Sequence, residues 1–498
     1  MADMNLGGLD IGTTGCKLSL YTEKGEFLYN SYREYDVSRK SGAHELDVET
    51  LFAAVCEVIG DTARHHVIDA IGVTSFGETF VALDENDRPV YPAMLNTDPR
   101  GEEECASLCA RMDVDFITDV IGTRPHSMFS LPKMIWLKEN LPEAYARIRH
   151  ILLMEDYVVY MLSGVAAIDY SLAARVMGFD IRKKTWCPEI FAAAGIDPSL
   201  LSTPVPTGSV VGNIRPSLVK ALGVKEDLKI VCGAHDQVAT AVGAGVLLPG
   251  DAVDGTGTVE CITPVFDTIP TASAFYDNGF CVVPYVTEGT YVCYAFSFTG
   301  GATLKWFKNN FAARYEGVEN VYAALDADVP DGPTGLLVLP HFAGAATPYM
   351  DGSSRAAVVG LTLENTASDL YKALMEGVTY ELMTNMERLE NSGVSSRCLY
   401  ATGGGAASDV WLQIKADILG RPITTLAAKE VGACGTCMMV AVGMGLYPNL
   451  SEAKKHFVTE KKTFTPNPEK HSAYQALYSA YRMMYDNVRP IIRQRDGK

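Results

Sequence analysis

Four segments of this 498-residue chain put residues capable of chemistry at the ends of strand-like runs. Asp10-Ile11-Gly12-Thr13-Thr14-Gly15-Cys16-Lys17 follows an apolar run from Leu6 and combines what a phosphate site needs. Its glycines let backbone N–H groups turn inward, its threonines add hydroxyl donors, and Lys17 adds positive charge. Asp10 could hold Mg2+ directly or through water, since that ion takes few carboxylates and keeps its waters. The same residues would equally make a glycine-rich hairpin with Asp10 bonded to its own turn. Asp254-Gly255-Thr256-Gly257-Thr258 has the same composition and the same two readings. His235-Asp236 closes an apolar run from Leu228, where a carboxylate is anchored yet open to a substrate hydroxyl, as a general base must be. Asp236 would also serve as N-cap of the following helix, the commoner role for an aspartate there. Thr402 to Ser408 is a third glycine turn, able to admit a ring or phosphate close to the backbone, or only to pack tightly.

The elements that position these residues alternate in type. A strand over Leu6 to Ile11, the glycine turn, a second strand through Leu18 and Leu20, a Lys24-Gly25 turn and a third strand from Phe27 make a β-meander. Gly250 to Thr258 leads into another strand, Val259 to Val265. Gly12 and Gly257 lie 257 − 12 = 245 residues apart, close to half the chain, which suggests two related domains. Thr366 to Leu389 has helical periodicity and a capping-box start at Thr366 and Asp369. Ser408 to Leu419 reads as a helix stopped by Gly420 and Pro422. These elements predict an α/β protein with a cleft between two lobes.

Composition narrows the classes. With 42 Lys and Arg against 60 Asp and Glu, the net charge of −18 disfavours nucleic acid and anionic membranes as partners. No window reaches 18 uninterrupted apolar residues, and the N-terminus lacks a basic leader followed by an apolar stretch, so a cytoplasmic location is expected. The 12 scattered cysteines are expected to be reduced. Cys434 and Cys437 form one CxxC without a second pair for zinc, and Cys105 and Cys109 lie at i, i+4; both read as small buried helix residues. No GxxxxGK[ST] occurs, which removes a P-loop, and no GxGxxG follows a strand, which weakens a dehydrogenase reading.

Together the segments resemble the FGGY family of carbohydrate kinases, whose fold is shared with actin, hexokinase and the Hsp70 ATPase. The similarity spans almost the whole chain in the family's motif order. Leu9 to Thr14 is similar to the first phosphate loop, Ser130 to Asn140 to the first signature, and Gly233 to Gln237 to the segment with the catalytic base. Asp254 to Thr258 resembles the second phosphate loop, Gly300-Gly301-Ala302 a turn under the nucleotide, Ala356 to Glu376 the second signature, and Gly403 to Ser408 the adenosine site. The resemblance implies two actin/hexokinase-like (ribonuclease H-like) α/β domains flanking a central cleft. Residues 1–246 would hold sugar and base, 247–487 the nucleotide, and 488–498 would be a tail.

The implied reaction is in-line transfer from ATP to a hydroxyl of a small open-chain sugar or polyol, with lobe closure excluding water. Asp236 would be the base and Asp10 the Mg2+ site. Thr13, Thr14, Lys17, Thr258, Gly301, Gly404, Gly405 and Ser408 would hold the nucleotide, and Glu78, Asp98, Arg100, Gln237, Gly77 and Met128 the substrate. Gly77, Asn96 and Met128 stand where glycerol kinases carry Arg, Trp and Tyr, which predicts a roomier pocket for a ketose or alditol of about five carbons. The alternative is an actin- or Hsp70-type nucleotide switch; a homodimer is left open.

Overall fold

A computed structural model describes residues 4–40 and 42–497 as two compact units. The first contains the chain to Leu247 together with Val282–Tyr291 and Glu430–Thr459; the second contains Leu248–Cys281, Val292–Lys429 and the chain from Glu460.

In the first unit, β1 (Asn5–Ile11) is buried on both faces, as its near-continuous apolar sequence demands. It pairs antiparallel with β2 (Gly15–Thr22), placing Asp10 opposite Lys17, and β2 pairs antiparallel with β3 (Phe27–Glu34). On its other edge β1 runs parallel to β4 (Ala70–Ser75). Beyond β4 come β5 (Val210–Asn213) and β6 (Lys229–His235), in the sheet order β5-β6-β4-β1-β2-β3. β6 is parallel to β4 and antiparallel to β5. Ser75 pairs with both Ile11 and His235, so the loops after β1, β4 and β6 leave one edge of the sheet side by side. Three helices flank these loops: α1 (Ser130–Asn140), the single turn α2 (Tyr170–Ala173) and α3 (Asp236–Gly243).

The second unit repeats the arrangement. β7 (Asp251–Thr256) pairs antiparallel with β8 (Glu260–Phe266), which pairs antiparallel with β9 (Ala295–Ser297). On the other side β7 is parallel to β10 (Cys398–Thr402), β10 is parallel to β11 (Ile423–Leu426), and β11 is antiparallel to β12 (Glu460–Phe464). Around them stand α4 (Gly301–Phe311), α5 (Ala367–Asn391), which has the expected Thr366–Asp369 capping box, and α6 (Asp409–Leu419), capped by Ser408 and ended by left-handed Gly420.

A single cut near 246 does not describe this division, because the chain returns to the first unit with α7 (Val431–Gly443). The reason is close packing. A Cβ on Gly243 of α3 would lie 1.8 Å from the Val431 carbonyl oxygen, and one on Gly8 of β1 would lie 2.4 Å from that of Ala433. The small residues of α7, buried Cys434 and Cys437 among them, let its backbone touch both elements. The expected tail from 488 is helical through Arg495.

Candidate active site

Asp236 opens α3 without capping it. The cap is His235, whose Nδ1 accepts the Gln237 amide at 3.4 Å, so the commoner structural role for Asp236 is already filled. Asp236 Oδ1 is out of solvent and has no hydrogen-bond partner, although 39 % of the side chain is exposed. Burial raises this carboxyl to about 7, with the Glu78 charge adding to the rise, while bonds from the Gln237 backbone and side chain and the Arg175 charge oppose it. The His235 ring, in contact with Asp236 at 3.2 Å, is pulled down to about 3 by burial and stays neutral. The His235 amide donates to Ser171 Oγ at 2.9 Å, and that hydroxyl donates to Asp169, the buried cap of α2.

Asp10 lies near enough to feel this group. Burial and the Asp236 charge raise its carboxyl to about 7, and Lys17 only partly opposes them. Lys17 is bonded to Glu430 at 2.6 Å. Thr13 and Thr14 are exposed on the turn. Two crowded carboxyls with one opposing lysine suit a divalent cation. Among the described residues no cluster of three metal-ligating side chains forms.

The loop after β4 is tightly packed at Gly77. A Cβ on Gly77 would meet His235 Cδ2 at 3.0 Å and Arg175 Cγ at 3.1 Å, so neighbouring side chains already fill that space. The missing charge returns too. Arg175, just past α2, binds Glu78 through Nε at 2.5 Å and through Nη2, and stacks on Phe129. Glu78 is buried at a left-handed φ of 65°, with its carbonyl held by Ser130 of α1. Sequence reasoning missed Arg175 entirely.

Asp98 and Arg100 saturate one another instead of standing free. Arg100 Nε and Nη2 reach the two Asp98 oxygens at 2.7 and 2.6 Å, and the His44 amide adds a bond of 2.7 Å. Arg100 also binds Glu45 at 2.8 Å and stacks on Trp136. They form a wall beside buried Lys133, whose ammonium donates to the Ser127 carbonyl and which burial lowers to about 8. Met128 is half-buried, and its amide donates to His126 Nδ1 at 3.0 Å.

In the second unit, a cavity of about 710 Å3 gathers Thr258, Gly301, Gly404, Gly405 and Ser408 on one wall system. Gly300 and Gly301, at the start of α4, donate to the Thr258 and Gly257 carbonyls at 2.9 Å. Asp326, unmarked in the sequence, is fixed by Ser408 at 2.7 Å and Tyr371 at 2.9 Å at the cavity lining. Lys305, Trp306, Asn310 and Tyr322 line the rest, a mixture of rings and amides suited to a base and ribose.

Comparison with known proteins finds one family in both halves of the chain. The model of the FGGY family of carbohydrate kinases, N-terminal domain, matches residues 5–243, and that of the C-terminal domain matches 263–444. The chain is 27% identical over 494 residues to a xylulose kinase of Bacillus subtilis (strain 168), covering 97% of each. It is 28% identical over 454 residues to a gluconokinase of Bacillus licheniformis, covering 88% of this chain and 86% of the relative. Among solved structures, xylulose kinase from Rhodospirillum rubrum superposes with a TM-score of 0.88 at 26% identity, over 98% of this chain and 99% of that one. A nucleotide-driven switch without sugar phosphorylation is not favoured by these matches, and no described helix is long and apolar enough to cross a membrane. With both family domains matched in order over most of its length, the chain belongs to the FGGY family of carbohydrate kinases.

Proposed function

We propose that this kinase transfers the terminal phosphoryl group of ATP to a hydroxyl of an open-chain ketose or polyol of about five carbons, with Asp236 as general base. The observation that carries the reading is Asp236 Oδ1, which follows a strand end without a hydrogen bond and belongs to a carboxyl raised to about 7. A base with a pKa near the working pH takes a hydroxyl proton most effectively.

Arg175 holds Glu78 for a substrate hydroxyl, and Gln237 steadies Asp236. The backbone of Gly77, the side chain of Met128 and the Asp98–Arg100 wall shape the remainder. Thr13, Thr14 and Lys17 are the phosphate contacts of the first unit and Thr258 that of the second, while Gly301, Gly404, Gly405 and Ser408 hold the nucleoside. Asp10 would hold Mg2+, which supplies positive charge to the phosphate oxygens. Little covalent help is needed beyond this positioning and charge. A neutral polyhydroxyl substrate suits the site better than a sugar acid, since Arg175 is neutralised by Glu78 and Arg100 by Asp98 and Glu45.

ADP release from ATP and Mg2+ should be followed with glycerol, erythritol, xylitol, xylulose, ribulose and gluconate. The expected order places a ketose first and glycerol last. Glycerol or gluconate coming first sinks the pocket reading, and ATP turnover indifferent to every compound sinks the kinase chemistry.

A further inference from the structure

A buried charge cluster lies directly beneath the turn that presents Thr258. Lys415 of α6 is 1 % exposed, and its ammonium donates to Asp254 Oδ2 at 2.7 Å, to Thr256 Oγ1 at 2.6 Å and to Glu260 Oε1. Asp254 and Thr256 belong to β7 and Glu260 opens β8, so one cation grips both strands at the root of the Gly257–Val259 turn. Three acceptors exhaust its three protons. Asp254 Oδ1 and Glu260 Oε2 have no partner outside the cluster, and burial raises the Glu260 carboxyl well above its ordinary range. One ammonium with two carboxylates would leave a net charge in a dry interior, which favours a proton on Glu260.

The cluster also joins two glycine loops. A Cβ on Gly405 would lie 2.4 Å from Thr256 Cγ2, and one on Gly403 would lie 2.5 Å from the Thr256 carbonyl oxygen. The turn at 403–408 therefore rests on the residue that Lys415 bonds, and α6, which carries Lys415, starts from that turn at Ser408. Trp411, 5.0 Å from the ammonium, itself lines the cavity.

We infer that Lys415 is a positioning residue for phosphate recognition: by fixing Thr256 and Glu260 it sets the Gly257–Val259 turn against the glycine loop of the nucleoside side. It does not touch the nucleotide. The inference rests on the nucleotide reading of the cavity. A role in general stability alone would weaken all nucleotides alike, whereas a misplaced phosphate turn penalises only those with a β-phosphate.

Calorimetric titration of the full chain with ADP and AMP separates the two. Lys415→Met should weaken ADP at least tenfold and AMP less than twofold. Thr256→Val, which keeps the shape and removes one acceptor, should show the same selectivity at about threefold and serves if the methionine variant fails to fold. Equal losses for ADP and AMP, or no loss in Thr256→Val together with a folded, unaffected Lys415→Met, overturn the inference. If the wild-type chain binds neither nucleotide, the cavity assignment falls and the inference falls with it.

Discussion

Asp10 and Asp254 occupy matching places in two matching sheets. Each lies near the end of a strand that pairs antiparallel with the next strand and parallel with a later one, before a turn of glycines and threonines. Their surroundings are opposite. Asp254 is locked to Lys415 at 2.7 Å inside the second unit. Asp10 shares its space with another carboxylate, Asp236, while its lysine is bonded to Glu430. One frame therefore carries two uses of the same residue. In the second unit the aspartate is paired with a buried ammonium; in the first it sits beside a second carboxyl, and its lysine only partly offsets the crowding.

The comparison breaks first at the base. Asp236→Asn keeps shape and removes proton acceptance, and should lower sugar-dependent turnover by about 10² to 10⁴. Calorimetric nucleotide affinity should stay near wild type. More than a tenth of wild-type turnover in the variant excludes Asp236 as the base.

Stability should move in opposite directions in the two turns. Asp254→Asn removes one of the two carboxylates around a buried ammonium, leaving Glu260 as its counter-charge, and should cost about 1.5–3 kcal/mol in urea unfolding. Asp10→Asn should do the reverse at alkaline pH. In the folded chain the Asp10 carboxyl is raised from 3.8 to about 7. Between these values the folded state holds a proton that the unfolded state releases, so stability contributed below 3.8 is lost as pH rises toward 7. An asparagine carries no such dependence. The melting temperature of Asp10→Asn should exceed wild type at pH 8, and the gain should shrink at pH 5. A loss at both pH values would show that Asp10 is a structural bond of its hairpin.

The same raised groups set the pH profile. Asp236 must be deprotonated to accept a proton, so kcat/KM should fall below pH 7, approaching tenfold per unit, and level off above. A profile flat to pH 5 would mean that the base stays ionised and that its burial is not felt in solution.

What the sequence made legible was local. The Thr366–Asp369 capping box, the stop at Gly420 and the glycine turns at strand ends are each written within a few neighbouring residues, and the fold has them. The matching of the two sheets was suggested only by turn composition, because strand order depends on pairings that composition does not record. Arg175 was invisible for the same reason. It follows a one-turn helix and meets Glu78 across 97 positions. Lys415 reaches Asp254 across 161 positions, and its stretch of sequence reads as an ordinary helix. Charge pairs formed by tertiary contact carry no periodicity, so no local pattern in the sequence reveals them.

A smaller effect tests the nucleoside wall. A Cβ on Gly404 would have nothing within 4 Å, and the residue lines the cavity, so a side chain there enters empty space. Gly404→Val should raise the KM for ATP about tenfold, within the range of overpacking energies, and leave the sugar KM and the melting temperature unchanged. A parallel rise in both KM values would place this turn outside the nucleoside site.

The smallest effect is the most local. At Gly77 the added methyl of Gly77→Ala would stand 3.0 Å from the His235 ring and 3.1 Å from Arg175. Those contacts are tight without being prohibitive, and the Arg175 stem can yield by a few tenths of an ångström. Any shift passes to Glu78, because Arg175 binds that carboxylate through two nitrogens. It also reaches the ring that caps α3 beside Asp236. The substitution should therefore raise the KM for the preferred sugar about threefold while the KM for ATP stays constant, a cost near the lower end for overpacking. Restoring the glycine's function by shortening the neighbour in Gly77→Ala/Arg175→Lys would not be expected, since lysine cannot make the forked pair with Glu78. If Gly77→Ala leaves the sugar KM untouched, the space beside Gly77 is slack and Arg175 passes no strain from it to Glu78.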